Sequence, residues 1–200
     1  MKNISSVLCL ALVFLLAIGT KGSIGSSGEG GTQNFTGKAS GSFTATSIDT
    51  NKDQIPASIR TFRGKFSPLG PFSAQAFIEG KLTNVPCTAQ SGGPGIEETL
   101  VDGSEVYRID FTGDLIFTTV TSLTVCIPTG PNDSSFSFTF EETITGGTGR
   151  FANAGGSNTV NGTGVLVGPS GTLEGITSTS KGTITTKRIP SNQDWPFAGP

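Results

Sequence analysis

The chain has 200 residues, a formal net charge of −2 and no histidine. Its slightly acidic balance argues against nucleic acid as a partner, because domains that bind nucleic acid carry basic patches. The lack of histidine excludes the Ser-His-Asp and Cys-His arrangements of nucleophilic enzymes and the usual zinc sites, so we expect no metal and no cofactor.

The first 22 residues have the pattern of a secretory signal peptide. Lys2 supplies the positive charge, residues 7–18 form an apolar segment too short for a membrane span, and Ala17-Ile18-Gly19 offers small residues for cleavage. We therefore expect a secreted or periplasmic protein that does not span a membrane once the signal is removed. Residues 23–33 are rich in Gly and Ser and predict a flexible leader.

Residues 34–189 are predicted to form one all-β domain. The composition, with 14 Phe and 29 Gly, is typical of strands and turns, and no stretch has helical periodicity. Eight or nine antiparallel strands at regular spacing favour a single closed, calycin-like β-barrel of about eight strands, because closure removes the sheet edges. Alternation and turn residues place strands over residues 35–48, 59–66, 72–82, 99–101, 106–111, 115–125, 136–145, 165–167 and 173–184.

Two local patterns refine this prediction. Asp102-Gly103 is typical of a two-residue hairpin turn, so the residues on its two sides are expected to form separate strands. In the second of these strands, alternation puts Tyr107 on the face opposite Arg108 and Asp110. Arg108 and Asp110 are interpreted as a surface pair.

The strongest strand pattern lies near residue 140. Phe136, Phe138 and Phe140 alternate with Ser and Thr, which predicts a strand with one buried face. The glycines of residues 146–149 predict a tight turn, and Arg150-Phe151 is expected to open the next strand. The centre of the chain is therefore a long hairpin.

This hairpin resembles a known family. Gly146, Gly147, Thr148, Gly149, Phe151, Ala154 and Gly156 match the GGTG-x-F-x-x-A-x-G signature of the dirigent and allene oxide cyclase barrels, and the chain is most similar to uncharacterised exported bacterial members. The resemblance implies an allene oxide cyclase-like barrel and a homotrimer. It also implies a cavity in which a hydrophobic intermediate is steered by shape and by one or two carboxylates. A fold does not by itself imply an activity.

Glu142 is the candidate catalytic residue of the sequence. It shares the face of the Phe-rich strand, where burial would raise the pKa of a carboxyl, whereas Glu141 points the other way. The alternative is structural: Glu142 lies near the strand end and is solvated or paired with Arg150 across the turn.

The cysteines are interpreted from the compartment. Cys9 is removed with the signal, which leaves Cys87 and Cys126 as an even pair in an exported protein. Such a pair normally forms a disulfide, so we expect Cys87–Cys126 to join two loops. A redox-active pair or a metal site is the alternative, although no C-x-x-C spacing is present.

The C-terminal residues 190–200 cannot form a central strand because they contain several prolines. Trp195 and Phe197 are expected to fold back over one barrel end, or alternatively to dock a partner.

Two functional interpretations follow. The first is a non-enzymatic exported barrel that binds a small apolar ligand or a surface partner. The alternative is a dirigent-like or cyclase-like protein that steers a bound hydrophobic intermediate. A cyclase needs a well-placed acid or base, which makes the first interpretation the preferred one. Convergent ionisable groups in the lumen would favour the alternative.

Overall fold

A computed structural model describes residues 31–49, 52–130, 133–167 and 172–186, and of residues 167 and 172–174 only the backbone. The expected signal peptide, most of the leader and the tail with Trp195 and Phe197 lie outside the described residues. The described residues form eight strands: β1 (Thr32–Ala45), β2 (Ser58–Ser67), β3 (Gly70–Thr88), β4 (Pro94–Ile109), β5 (Leu115–Pro128), β6 (Ser135–Gly147), β7 (Gly155–Val167) and β8 (Thr172–Thr185).

The strands form one closed antiparallel barrel. Each strand pairs with the next along the chain, and β8 pairs with β1. The predicted barrel of about eight antiparallel strands is therefore confirmed. We call the end that carries the β6–β7 connection the motif end, and the opposite end, which carries the β3–β4 connection, the disulfide end.

Phenylalanine rings fill the lumen because glycines face them. An eight-stranded barrel is just wide enough for its inward side chains to fill it. Five phenylalanines each lie directly opposite an inward glycine on the neighbouring strand, and a Cβ on that glycine would overlap the ring. The pairs are Phe66 with Gly37, Phe62 with Gly41, Phe138 with Gly162, Phe136 with Gly164, and Phe35 with Gly182.

Seven of the buried rings form two groups. In the first, at the motif end, Phe66 stacks on Phe72 with 4.0 Å between the ring centroids, and Phe35 and Tyr107 pack against them edge-on or tilted. In the second, the three phenylalanines of β6 stack along the strand, with centroids 6.1 and 5.9 Å apart. Between them, the two groups close most of the lumen.

The prediction of a hairpin turn at Asp102-Gly103 is wrong. β4 runs without a break through both residues, and the chain turns between β3 and β4 at residues 89–93, where the Ala89 N–H donates to the carbonyl of Gly93. Gly103 faces inward instead, and a Cβ there would lie 3.0 Å from the Cβ of Val120. The glycine therefore serves close packing of β4 against β5.

The start of β7 also differs from the expectation. Arg150 and Phe151 belong to a short 3-10 helix, Gly149–Phe151, and the strand begins at Gly155. The first strand also begins earlier than predicted: β1 starts at Thr32, within the last two residues of the predicted leader. Among the described residues there is no helix long and apolar enough to cross a bilayer.

Candidate functional site

Glu142 lies at the centre of a buried hydrogen-bond network. Its side chain is 1% exposed, because alternation along β6 places it on the same inward face as the phenylalanines. The Tyr107 hydroxyl donates to Oε2 at 2.7 Å, the Thr118 hydroxyl donates to Oε1 at 2.7 Å, and Asn158 Nδ2 donates to Oε2 at 2.8 Å. Three strands, β4, β5 and β7, therefore supply one donor each to a single carboxyl group.

The structural alternative for Glu142 is wrong in its details. Arg150 does not reach this carboxyl: its Nε lies 3.6 Å from Oδ2 of Asp114, and its Nη2 donates to the carbonyl of Leu69 at 3.2 Å. Solvent does not reach Glu142 either, because it lies inside the lumen and not at an open strand end.

A second carboxyl group, Glu105, meets the first. Glu105 is 2% exposed and lies on the inward face of β4. Its carboxyl group hydrogen-bonds to the carboxyl group of Glu142 and to the hydroxyl group of Tyr107. Burial raises its pKa well above the ordinary value, and the neighbouring Glu142 charge raises it further. Sequence reasoning missed Glu105.

The surroundings act differently on the two carboxyl groups. Burial also raises the pKa of Glu142, but the hydrogen bonds from Thr118, Tyr107, Asn158 and Glu105 oppose this rise by favouring the carboxylate. The contact between the two carboxyls therefore raises the pKa of Glu105 and lowers that of Glu142. Oε2 of Glu105 is buried and has no hydrogen-bond partner within the described chain.

Tyr107 is held in its neutral form by the same surroundings. Burial raises the pKa of its hydroxyl well above the ordinary value, and the carboxyls of Glu105 and Glu142 raise it further. The sequence prediction that Tyr107 faces away from Arg108 and Asp110 agrees with the structure, in which Tyr107 is buried and the other two are exposed. We call Glu105, Tyr107, Thr118, Glu142 and Asn158 the central polar cluster.

A buried arginine stands beside this cluster. Arg60 is 5% exposed, and its Nε has no hydrogen-bond partner among the described residues. In the strand register, Arg60 pairs with Ala76 of β3, and Ala76 pairs with Glu105, so the small alanine leaves room between the two long side chains. The guanidinium carbon lies 5.6 Å from the centroid of the Phe43 ring.

Arg60 is flanked by acids on two sides. Burial lowers its pKa, and the charges of Glu98 and Glu105 oppose that effect. Burial raises the pKa of Glu98, and Arg60 counteracts this. Glu98 belongs to the first part of β4, so the row from Glu98 through Arg60 to Glu105 leads from the disulfide end toward the barrel centre.

Two small voids remain in the lumen. One, of about 20 Å³, borders Glu105, Tyr107 and the motif-end rings. The other, of about 30 Å³, borders Arg60, Glu98 and the β6 rings. A cavity of this measure has room for one water-sized group, so the barrel as it stands is nearly full.

The predicted disulfide is present. Cys87 and Cys126 are bonded, with their Cα atoms 5.9 Å apart. The bond joins two strands, β3 and β5, each near its end, and not two loops as expected. It passes over Gly95 of the intervening β4, where a Cβ would lie 2.7 Å from the sulfur of Cys126. The cystine thus closes the disulfide end and lies apart from the central polar cluster.

The glycine motif shapes the motif end. Gly146, Gly149 and Gly156 have φ of 153°, 53° and 142°, which residues with a Cβ rarely adopt. Thr148 exchanges two bonds with Leu115: its N–H donates to the Leu115 carbonyl and its hydroxyl accepts from the Leu115 N–H, both at 2.9 Å. We call this connection the glycine turn. Its residues Gly147, Phe151 and Ala154 close the lumen, and none of the seven motif residues contributes a side chain to the central polar cluster.

Comparison of the chain with protein-family models, with curated proteins and with solved structures finds no match. In the described part of the chain, no group of three or more Cys, Asp or Glu side chains is arranged to hold a metal ion. The dirigent-like resemblance thus stays an expectation from the glycine motif.

Proposed function

We propose that this protein is an exported, non-enzymatic β-barrel that binds a small, largely hydrophobic molecule inside its lumen, beside the central polar cluster. The observation that carries this proposal is the unpartnered Oε2 of Glu105 in an aromatic-lined interior. Apolar rings supply the contact area and the buried polar atoms supply orientation, which is the usual composition of a small-molecule site.

Stability alone does not account for the cluster. Buried ion pairs and carboxyls cost desolvation free energy, and apolar residues of similar volume often stabilise a protein as well or better. An unsatisfied buried acceptor costs about 1 to 3 kcal/mol more. A barrel selected for stability alone would fill this layer with aliphatic side chains, so the polar layer points to a bound partner.

Binding requires side chains to move. Voids of about 20 and 30 Å³ are far smaller than a small-molecule ligand, so aromatic side chains have to rotate for the ligand to enter. Rotamer changes of this kind are common at binding sites whose backbone stays fixed. The closed ring of paired strands provides that fixed frame.

The pairing of the two acids favours binding over catalysis. In the closed barrel, the carboxyls of Glu105 and Glu142 hydrogen-bond to each other, and this contact competes with their use as acid or base on a ligand. A steering or cyclase-like role is the second candidate, and one observation favours it. Two carboxyls that share a proton beside a tyrosine, in a lumen shielded from water, are a recognised arrangement for acid–base work.

The test is native mass spectrometry of the mature protein isolated from the medium or periplasm of its natural source. We expect a small molecule that accompanies the folded barrel and is released on denaturation. Bare protein under all gentle conditions would overturn the proposal. Conversion of the released molecule into a new product by the purified barrel would establish the second candidate in its place.

A matched pair of variants assigns the binding to the lumen. Glu142→Gln alters the buried carboxyl and is expected to reduce the bound fraction at least tenfold. Glu141→Gln alters the neighbouring exposed carboxyl and should leave it unchanged. Equal retention by two folded variants would contradict a site in the lumen, and circular dichroism verifies the fold of each.

A further inference from the structure

A single side chain separates the two voids of the lumen. Phe62 borders the void beside Glu105 and also the void beside Arg60, and no other residue of the described ranges borders both. Removing or rotating this ring would therefore join the two voids. The joined space would run from the central polar cluster toward the disulfide end.

Phe62 belongs to neither group of stacked rings. It lies between the motif-end group and the β6 stack, and within the described chain it makes no ring–ring contact with either. It packs over Gly41, whose Cβ, if present, would lie 2.5 Å from the Phe62 ring. A rotation of Phe62 therefore breaks no contact with another aromatic ring.

The two voids present complementary polar atoms. On one side, Nε of Arg60 is a buried donor without a partner, and on the other, Oε2 of Glu105 is a buried acceptor without a partner. Both side chains project inward, and in the strand register Ala76 lies between them. A ligand that fills the joined space can satisfy both atoms at once.

The charges select an uncharged ligand. The ionisable side chains named at the lumen are one basic residue, Arg60, three acidic residues, Glu98, Glu105 and Glu142, and Tyr107. An anionic ligand would add a further acidic group to these three. A cationic ligand would meet the guanidinium of Arg60 in the void beside it.

We propose that Phe62 is a movable partition whose rotation joins the two voids into one elongated site for an uncharged, mostly apolar molecule. Such a molecule carries a carbonyl-type oxygen that accepts from Nε of Arg60 and, at its other end, an O–H or N–H group that donates to Oε2 of Glu105. The inference depends on the proposed binding function and specifies its ligand class.

A set of four probes of nearly equal shape tests this ligand class. Para-hydroxyacetophenone carries a donor and an acceptor, acetophenone only the acceptor, para-ethylphenol only a hydroxyl, and ethylbenzene neither. Affinities are measured by titration calorimetry on the oxidised, full mature chain, as wild type and as Phe62→Ala. Phe62→Leu is the second variant in case Phe62→Ala does not fold. Para-hydroxybenzoate provides the anionic comparison.

We expect Phe62→Ala to bind para-hydroxyacetophenone at least tenfold more tightly than wild type does, and roughly tenfold more tightly than it binds ethylbenzene, since each buried hydrogen bond changes affinity several-fold. Phe138→Ala is the matched control, because Phe138 borders only the Arg60 void. It should not distinguish para-hydroxyacetophenone from acetophenone. The anionic probe should bind more weakly than the neutral one.

Variants of the two polar residues assign each end. Arg60→Met, in the Phe62→Ala background, should abolish the advantage of the carbonyl, and Glu105→Met should abolish the advantage of the hydroxyl. Glu105→Gln keeps an acceptor oxygen and should restore the advantage of the hydroxyl. Equal binding of ethylbenzene and para-hydroxyacetophenone, or equal gains in Phe62→Ala and Phe138→Ala, would overturn the partition.

The two proposals fail separately. A molecule that accompanies the wild-type barrel while the probe ranking is flat would refute the partition and leave the binding function standing. The expected ranking with no molecule bound in the natural source would establish the site in the lumen and refute the binding function.

Discussion

The hydroxyl of Tyr107 reaches Oε2 of Glu142 at 2.7 Å, although β5 lies between the two strands that carry them. The bond passes over the inner face of β5 and ties β4 to β6 through side chains alone. It also places an aromatic hydroxyl and the carboxyls of Glu142 and Glu105 within one buried network.

The alkaline titration of Tyr107 gives the first prediction. The chain contains a single Tyr, so the ultraviolet absorbance of tyrosinate reports this residue alone. Because burial and two neighbouring carboxyls raise its pKa, we expect the folded protein to show no tyrosinate near pH 10, the ordinary midpoint of tyrosine. The tyrosinate absorbance should appear only when the protein unfolds, and in the denatured chain Tyr107 should titrate near its ordinary midpoint. An ordinary midpoint in the folded barrel would contradict the network.

The pH dependence of stability gives the second prediction. Burial raises the pKa of Glu105, Glu142 and Glu98 in the folded state. A carboxyl with a raised folded pKa contributes stability that is fully present below its unfolded pKa and is lost as the pH rises through the folded pKa. We therefore expect the free energy of unfolding to fall as the pH rises above about 4.3, the ordinary pKa of Glu, by at most about 1.4 kcal/mol per pH unit for each proton. Urea unfolding at several pH values measures this slope.

One substitution tests which carboxyl dominates that slope. Glu105→Gln keeps a donor toward Glu142 without a titrating group, and so should flatten the decline and raise stability near pH 8. Glu141→Gln on the outer face should leave the slope unchanged. Stability that rises with pH in the wild type would have the opposite sign and would refute the raised pKa of the buried carboxyls. The attraction of Arg60 and the hydrogen bond of Tyr107 limit the size of the effect.

The Phe–Gly pairs give the third prediction. A methyl group on Gly162 would overlap the Phe138 ring, so Gly162→Ala should destabilise the barrel by about 1 to 3 kcal/mol through overpacking. Gly155 of the same strand has only one neighbour, the Ile144 carbonyl oxygen at 4.0 Å, which makes Gly155→Ala the matched control. Chemical denaturation compares them. Equal stability of the two variants would mean that the ring can move aside at no cost.

The disulfide gives the fourth prediction. The bond spans 39 residues of chain, and replacing both cysteines by serine should lower the free energy of unfolding by about 3 to 4 kcal/mol on the chain-entropy model. Gly95→Val should have much the same effect with both cysteines present, because a side chain at Gly95 would meet the sulfur of Cys126. Thiol counting by mass spectrometry would then find two free thiols. A disulfide that forms normally in Gly95→Val would contradict this account, and Gly130→Ala is the control at the same end.

Much of the barrel was predictable, because alternation is a local property. Phe136 to Phe140 and Glu142 share one face in the sequence pattern and share the lumen in the structure. The hairpin prediction at Asp102-Gly103 failed because a glycine serves turns and close strand packing equally well. The two roles are distinguished only by how β3 pairs with β4, which includes a register shift between Glu79 and Gly80. That pairing joins residues that are distant in the sequence.

Only part of the candidate site was predictable from the sequence, for the same reason. Once β4 is read as continuous, alternation from Tyr107 and Ile109 puts Glu105 on the inward face, and alternation from Phe62 does the same for Arg60. These signals were available in the sequence. The meeting of Glu105 with Glu142 was not, because it depends on how β4, β5 and β6 are staggered around the barrel.

The pairing of β1 with β8 brings the two ends of the described barrel together. The hydroxyls of Thr32 and Thr185 lie 2.8 Å apart, and the N–H of Thr186 donates to the carbonyl of Gly31 at 3.2 Å. A short peptide linker could therefore join these ends while a new break is made at the exposed 90–92 tip between β3 and β4, leaving all eight ladders intact. The finished ring has no first or last strand, so a circularly permuted gene should encode the same lumen.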